Sequence, residues 1–353
     1  MKKSLLLVGA FLTVAAMAQA KEVVPEPVVV EEAPVQVVEK EIIVYRDKEE
    51  GFRPNGNVDL QYRVYGTTEN KEAHENKWAT DDNYSRLQLS GKIQMTENQK
   101  LEYRVRNWNS IEASNDESVK DDSKEVRLRY FYNHGNLGDS KVNYTSRIQY
   151  RDKASETQDL EYMARFNFAE YMFNTDFIKT TDFTVAPRYA YAWDSNSSDY
   201  DNQLGVDLYT MHELPLGFSF EFNLYTTQHF FGEDQTFDGK EEDKNFTVDM
   251  EAYIYNTTNL YTAGNLSVDF NFEGGYDQYN WSKEKQFGTK KDEKAAYSLY
   301  ALPTIQLNYQ VTPNVTTYVA AGAEYRNWNI TGESEASNWR WQPTAWAGFN
   351  VAF

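Results

Sequence analysis

The final stretch, Trp339 to Phe353, constrains this chain most. Apolar residues occupy every second position: Trp339, Trp341, Pro343, Ala345, Ala347, Phe349, Val351 and Phe353. Arg340, Gln342, Thr344, Gly348, Asn350 and Ala352 lie between them, with Trp346 the one large ring on that side. A period of two describes a strand with one greasy face and one wet face. The run is longer than an ordinary globular strand of roughly five or six residues. Its length suits a strand that crosses a bilayer at a tilt. Such a strand leaves no polar edge bare in lipid, so earlier segments must pair with it until the sheet closes.

The alternation recurs upstream. Val58, Leu60, Tyr62 and Val64 oppose Asp59, Gln61 and Arg63; Leu87, Leu89 and Ile93 oppose Gln88, Ser90 and Lys92. Val126, Leu128 and Tyr130 oppose Arg127 and Arg129, and Phe218, Phe220, Phe222 and Leu224 follow the turn Pro215-Leu216-Gly217. Connections alternate between long stretches rich in Asp, Glu, Lys, Asn and Ser and short ones carrying Pro, Gly and Asn. The pattern predicts an all-β fold, a transmembrane antiparallel β-barrel of about 14 strands over 53–353. Short turns would then face the periplasm and long loops the outside. Two segments break the rhythm. Ala169 to Thr181 is long for a short turn, so either the preceding strand runs on or an extra element sits there; Asn256 to Gly264 is equally ambiguous. Aromatic residues such as Tyr130, Tyr132, Tyr150, Trp193, Trp339 and Trp341 fall near strand ends, where rings with one wet edge suit headgroup levels.

The N-terminus reads as a secretory signal peptide: Lys2 and Lys3, an apolar run from Leu5 to Met17, then Ala18-Gln19-Ala20, with cleavage after residue 20. Residues 21–52, with Pro25, Pro27 and Pro34 among Val and Glu, read as a periplasmic linker. Zero Cys excludes disulfides and thiolate metal sites. The formal net charge of −19 becomes −21 once Lys2 and Lys3, each +1, are removed, which argues against a nucleic-acid partner. Phosphate loops, zinc spacings and dinucleotide fingerprints are absent from the sequence, so no cofactor, metal or catalytic residue is expected.

The wet faces carry a sign split. The first half of the chain contributes Arg63, Lys92, Arg104, Arg106, Arg127, Arg129, Lys141, Arg147, Arg151, Arg165 and Arg188. Asp59, Glu102, Glu125 and Glu161 stand among them. The second half contributes Asp207, Glu221, Asp249, Glu251, Asp269, Glu273 and Glu324, with Arg326 the main exception. A closed ring would set a basic wall against an acidic wall and hold its water in a transverse field. That field would pass small hydrophilic solutes and ions.

The terminal aromatic, Phe353, resembles the closing residue of Gram-negative outer-membrane β-barrels, which implies an assembly signal there. Val44-Tyr45-Arg46-Asp47-Lys48-Glu49 and Arg53-Pro54-Asn55-Gly56, leading into Val58-Asp59-Leu60-Gln61-Tyr62-Arg63, resemble the start of FomA-type major outer-membrane porins. Asn256-Thr257-Thr258-Asn259-Leu260-Tyr261 and Phe272-Glu273-Gly274-Gly275-Tyr276-Asp277 also resemble stretches of that family. The resemblance runs from the linker to the C-terminus without the outer loops. It implies an abundant, trimeric, voltage-sensitive diffusion porin in outer-membrane lipid, with a second role in adhesion to host or bacterial surface ligands. The family offers no catalytic motif to carry over.

Two alternatives stand beside the pore. One is an adhesin whose barrel is a platform for the acidic stretches Glu112 to Lys124, Glu233 to Lys244 and Trp281 to Lys294. The other is a barrel hydrolase. His74, His134, His212 and His229 are scattered, and His229, near Glu233 and Asp234, reads as a solvated loop histidine.

Overall fold

The computed structural model describes residues 51–69, 83–111, 123–153, 157–194, 198–285, 295–327 and 339–353. The expected signal peptide, the linker as far as residue 50 and most of the predicted outer loops lie outside the described residues.

Fourteen strands are described: β1 (Asn55–Tyr65), β2 (Tyr84–Gln94), β3 (Gln99–Ser110), β4 (Ser123–Asn136), β5 (Asn143–Lys153), β6 (Thr157–Asn167) and β7 (Lys179–Asp194). The second half is β8 (Tyr200–Glu213), β9 (Phe218–Phe237), β10 (Lys240–Ala263), β11 (Leu266–Ser282), β12 (Ala295–Thr312), β13 (Val315–Asn327) and β14 (Trp339–Ala352). Each pairs antiparallel with its neighbours in sequence, and β1 pairs with β14 to shut the ring. The seam runs from Asn57 opposite Ala352 to Tyr65 opposite Thr344. Phe353 completes it: its N–H donates to Gly56 O at 3.0 Å, and Gly56 N–H donates to Phe353 O at 2.9 Å.

Burial is inverted relative to a water-soluble domain. Leu160, Leu204, Val206 and Val319 on the outer face are each about half exposed, at 50–53%. Thr184, Asp207, Asn223, Gln149 and Glu161 on the inner face are buried. An apolar exterior closed on all edges is the solution a bilayer demands, because every backbone polar group finds its partner within the ring. The chain is therefore a transmembrane antiparallel β-barrel of the outer-membrane type. Aromatic clusters mark both ends of its exterior. Tyr132, His134, Tyr144 and Phe166 form a chain of ring contacts at 4.4–5.1 Å toward the short turns. Tyr325 meets Trp339 at 5.0 Å and Trp341 at 4.7 Å toward the other rim.

Two tyrosines clasp β1, one from each face of the sheet. Inside, Tyr318 of β13 reaches over Gly348 of β14 and donates to both carboxylate oxygens of Asp59, at 3.1 and 3.0 Å. A Cβ on Gly348 would sit 2.5 Å from that hydroxyl, so only glycine leaves the passage open. Outside, Tyr103 of β3 reaches over Gly91 of β2 and donates to Asn57 O at 3.3 Å.

Both ambiguous segments are resolved, and one predicted loop is corrected. Ala169 to Thr181 holds an added element: a 3-10 turn, Ala169–Tyr171, and a bridge between Asn174 and Lys179, after which β7 begins. Asn256 to Gly264 is mostly strand, the end of a 24-residue β10. On the opposite rim, the charged stretch Glu233 to Lys244 is not a loose loop. β9 and β10 absorb it into a hairpin whose turn, Asp238-Gly239, has φ of 51° and 80°, the left-handed pair that matches strand twist.

Candidate functional site

Strand alternation places the predicted charges, Lys141 apart, on the inner face. Two cavities, of about 900 and 620 Å³, occupy that space. Arg129, Arg147, Arg151, Arg165, Arg188, Asp207, Glu221, Asp249 and Glu251 line the first. Arg63, Arg106, Glu273 and Glu324 line the second. Arg104 lies opposite Arg127, and Arg127 opposite Arg151, so these three share the inner face. Lys92 lies opposite Glu102 on that face, near the short-turn end. Asp269 binds Asn308 Nδ2 at 2.6 Å and Asn259 Nδ2 at 2.7 Å. Lys141 is placed elsewhere: it precedes β5 in the exposed β4–β5 turn, where its N–H donates to the Tyr171 hydroxyl at 3.0 Å.

The ring divides into three sectors by how its charges are satisfied. In the first, β1 to β4, arginines lean on neutral acceptors. Arg63 Nε donates to Thr344 Oγ1 at 2.8 Å, Arg86 Nη2 to Gln61 Oε1 at 3.2 Å, Arg106 Nε to Gln88 Oε1 at 2.7 Å and Arg129 Nε to Gln149 Oε1 at 2.6 Å. Arg127 has no carboxylate within ion-pair distance among the described residues. Only Arg104 in this group is neutralised, by Glu125 at 2.5 Å.

The second sector, β5 to β8, is zipped by ion pairs. Arg147 meets Glu161 at 2.5 Å, Arg151 meets Asp159 at 2.7 Å, and Arg188 meets Asp207 at 3.0 Å and Glu161 at 3.8 Å. Arg165 lies 3.6 Å from Asp182 and over the Tyr209 ring, 4.4 Å from its centroid. These charges largely cancel in place.

In the third sector, β9 to β12, carboxylates are held by neutral donors. Tyr255 donates to Glu221 at 2.8 Å, Tyr225 to Glu251 at 2.8 Å, and Tyr300 to Glu273. Asn223 adds a bond to Glu221 at 2.6 Å. A hydroxyl donor satisfies a carboxylate's lone pairs without removing its charge. Arginines on neutral acceptors thus lie in β1 to β4 and carboxylates on neutral donors in β9 to β12, with the ion pairs of β5 to β8 between them. Glu324 departs from this pattern, because Arg326 binds it directly and also meets Asp277 at 2.7 Å.

Sequence reasoning missed Arg86, Asp159 and the inward tyrosines Tyr225, Tyr253, Tyr255 and Tyr300. Their signal was parity. Each lies an even number of residues from an inward charge or amide on its own strand. His229 is a correction: it lies on β9 and lines the larger cavity rather than a solvated loop. Its Nδ1 is 2.6 Å from Asp201 Oδ2 and its Nε2 is 3.3 Å from Thr247 Oγ1. Asp201, His229 and Thr247 have the order of a hydrolase triad. Thr247 is paired on both sides, with Thr227 and Ser282, which commits the backbone beside it to the sheet.

No family model and no curated protein matches the chain. Among solved structures, it is similar to a bacterial polysaccharide outer membrane secretin, with 9% identity, a TM-score of 0.38, and 84% of this chain and 98% of that one covered. It is also similar to the outer membrane channel DcaP of Acinetobacter baumannii, at 10% identity, TM-score 0.35 and 85% and 96% coverage. The NanC porin gives 10% identity, TM-score 0.33 and 84% and 98% coverage. The barrel assignment rests on the closed ladder of strands itself.

Proposed function

We propose that the chain is an outer-membrane general diffusion porin of the FomA type. It is exported by its signal peptide, assembles as a trimer, and passes small hydrophilic solutes and ions through a charge-segregated lumen. One observation supports this reading: a closed barrel, greasy outside, whose inner face bears arginines on neutral acceptors and carboxylates on neutral donors. Such walls keep water ordered and polarised, so polar solutes exchange for it more readily than apolar ones. The channel needs no catalytic group, cofactor or metal.

The test is electrical. Combining Arg104→Gln, Arg106→Gln, Arg127→Gln and Arg129→Gln removes most of the positive sector. Reversal potentials across planar bilayers under a salt gradient should then shift toward cation selectivity, with a permeability ratio changed by about threefold or more. Unchanged potentials would sink the two-wall account.

A second reading, adhesion, is favoured by the hairpin of β9 and β10. It continues past the first residues of β8 and exposes Glu233, Asp234, Glu241 and Asp243. An acidic projection of this kind suits a cationic surface ligand.

A further inference from the structure

We propose that the lumen favours zwitterions, meaning free amino acids and short peptides, over neutral solutes of the same size. This rests on the pore reading above and names the solute class for the same lumen.

The larger cavity has Arg129 on one side, where Lys100 is already paired with Glu102 at 2.8 Å, and Glu221 and Glu251 on the other. Arg129 donates to the neutral Gln149, and the two glutamates accept from Tyr255 and Tyr225. Both sides therefore present charge to whatever enters. A solute with a single charge is drawn to one wall, repelled by the other, and adsorbs. A neutral solute displaces oriented water and returns little for it. A zwitterion feels no net pull to either side and simply turns. Its carboxylate faces the planar guanidinium fork, which binds carboxylates with two parallel hydrogen bonds. Its ammonium faces carboxylates set among tyrosine rings, a pairing that adds ring attraction to charge attraction. The volume, about 900 Å³, falls within the range that accommodates a drug-sized molecule, so a short peptide fits with water around it.

The experiment compares osmotic swelling of liposomes containing the purified protein in glycylglycine and in N-acetylglycinamide, which is neutral and of similar size. At low salt the zwitterion should enter about threefold faster or more, relative to the neutral solute. Raising the salt to 1 M shortens the screening length to about 3 Å and should bring the ratio toward one without any substitution. Arg129→Gln, and separately Glu221→Gln with Glu251→Gln, should each lower the ratio. Equal rates in the unaltered protein at low salt, with the neutral solute entering freely, would overturn the zwitterion inference and leave the pore standing. Entry of neither solute would overturn the pore reading and the inference together.

Discussion

At the scale of residues, Tyr318, Gly348 and Asp59 behave as one unit. Hydrogen bonds to a charged acceptor contribute about 1.5–3 kcal/mol each when well made. Tyr318→Phe should therefore lower barrel stability by about 1–3 kcal/mol, read as a lower urea midpoint in detergent or lipid. Gly348→Ala should do at least as much damage, because the added methyl meets the Tyr318 hydroxyl and also Leu60 O, 2.4 Å away. If both variants unfold at the wild-type midpoint, the inner clasp contributes nothing. The sequence carried part of this detail. Arginine and glutamate announced themselves by charge and by their place on the wet face of each strand. Tyrosine did not, because it serves equally well as a lipid-facing ring, as at Tyr62, and as an inward donor, as at Tyr300. Only its parity with neighbouring charges decides between the two. His229 was misplaced because strand β9 continues well beyond the membrane-sized run that the apolar residues mark out.

At the scale of elements, the β9–β10 hairpin is separable from the wall. Beyond the β8 ladder, whose last rung on β9 is Phe231 opposite Asp201, Gln235 to Phe237 pair with Lys240 to Glu242. Replacing residues 233–243 by a two-residue Asn-Gly turn should leave single-channel conductance unchanged. If the adhesion reading is right, the same deletion should abolish binding to a cationic peptide surface; retained binding would locate adhesion elsewhere. Sequence signals were weakest at such ends. Charged residues fit a projecting hairpin as well as a loop, because both of its faces are wet. The added turn at Ala169–Tyr171 was visible as excess length, but its form was not, since Met172, Phe173 and Phe177 carry no periodicity of their own.

At the scale of the whole barrel, the exterior is the constraint. A lysine on the lipid-facing side near the bilayer midplane costs about 2–4 kcal/mol in barrels of this kind. Val206→Lys should destabilise the folded barrel in lipid by that order, measured as unfolding free energy, whereas Asn223→Lys, facing the lumen, should cost less and alter ion selectivity instead. Equal penalties for the two would mean that the assignment of inside and outside is wrong. This inside-outside pattern was the most legible property of the chain. It repeats along every strand and needs no knowledge of partners, while the zipper of ion pairs between β5 and β8 depends on registers that only closure reveals.

The inner clasp joins residues 259 positions apart, whereas the outer one spans 46. Loop-closure entropy grows with separation, and bonds between distant parts of a chain form only after the intervening chain is arranged. Tyr103 can thus hold β1 while the sheet is still an open ribbon, and Tyr318 can engage only when the whole ribbon has curled round. The first strand waits, held by one neighbour, for the last to arrive. Completion of the ring is an all-or-none event that a truncated or stalled chain cannot counterfeit.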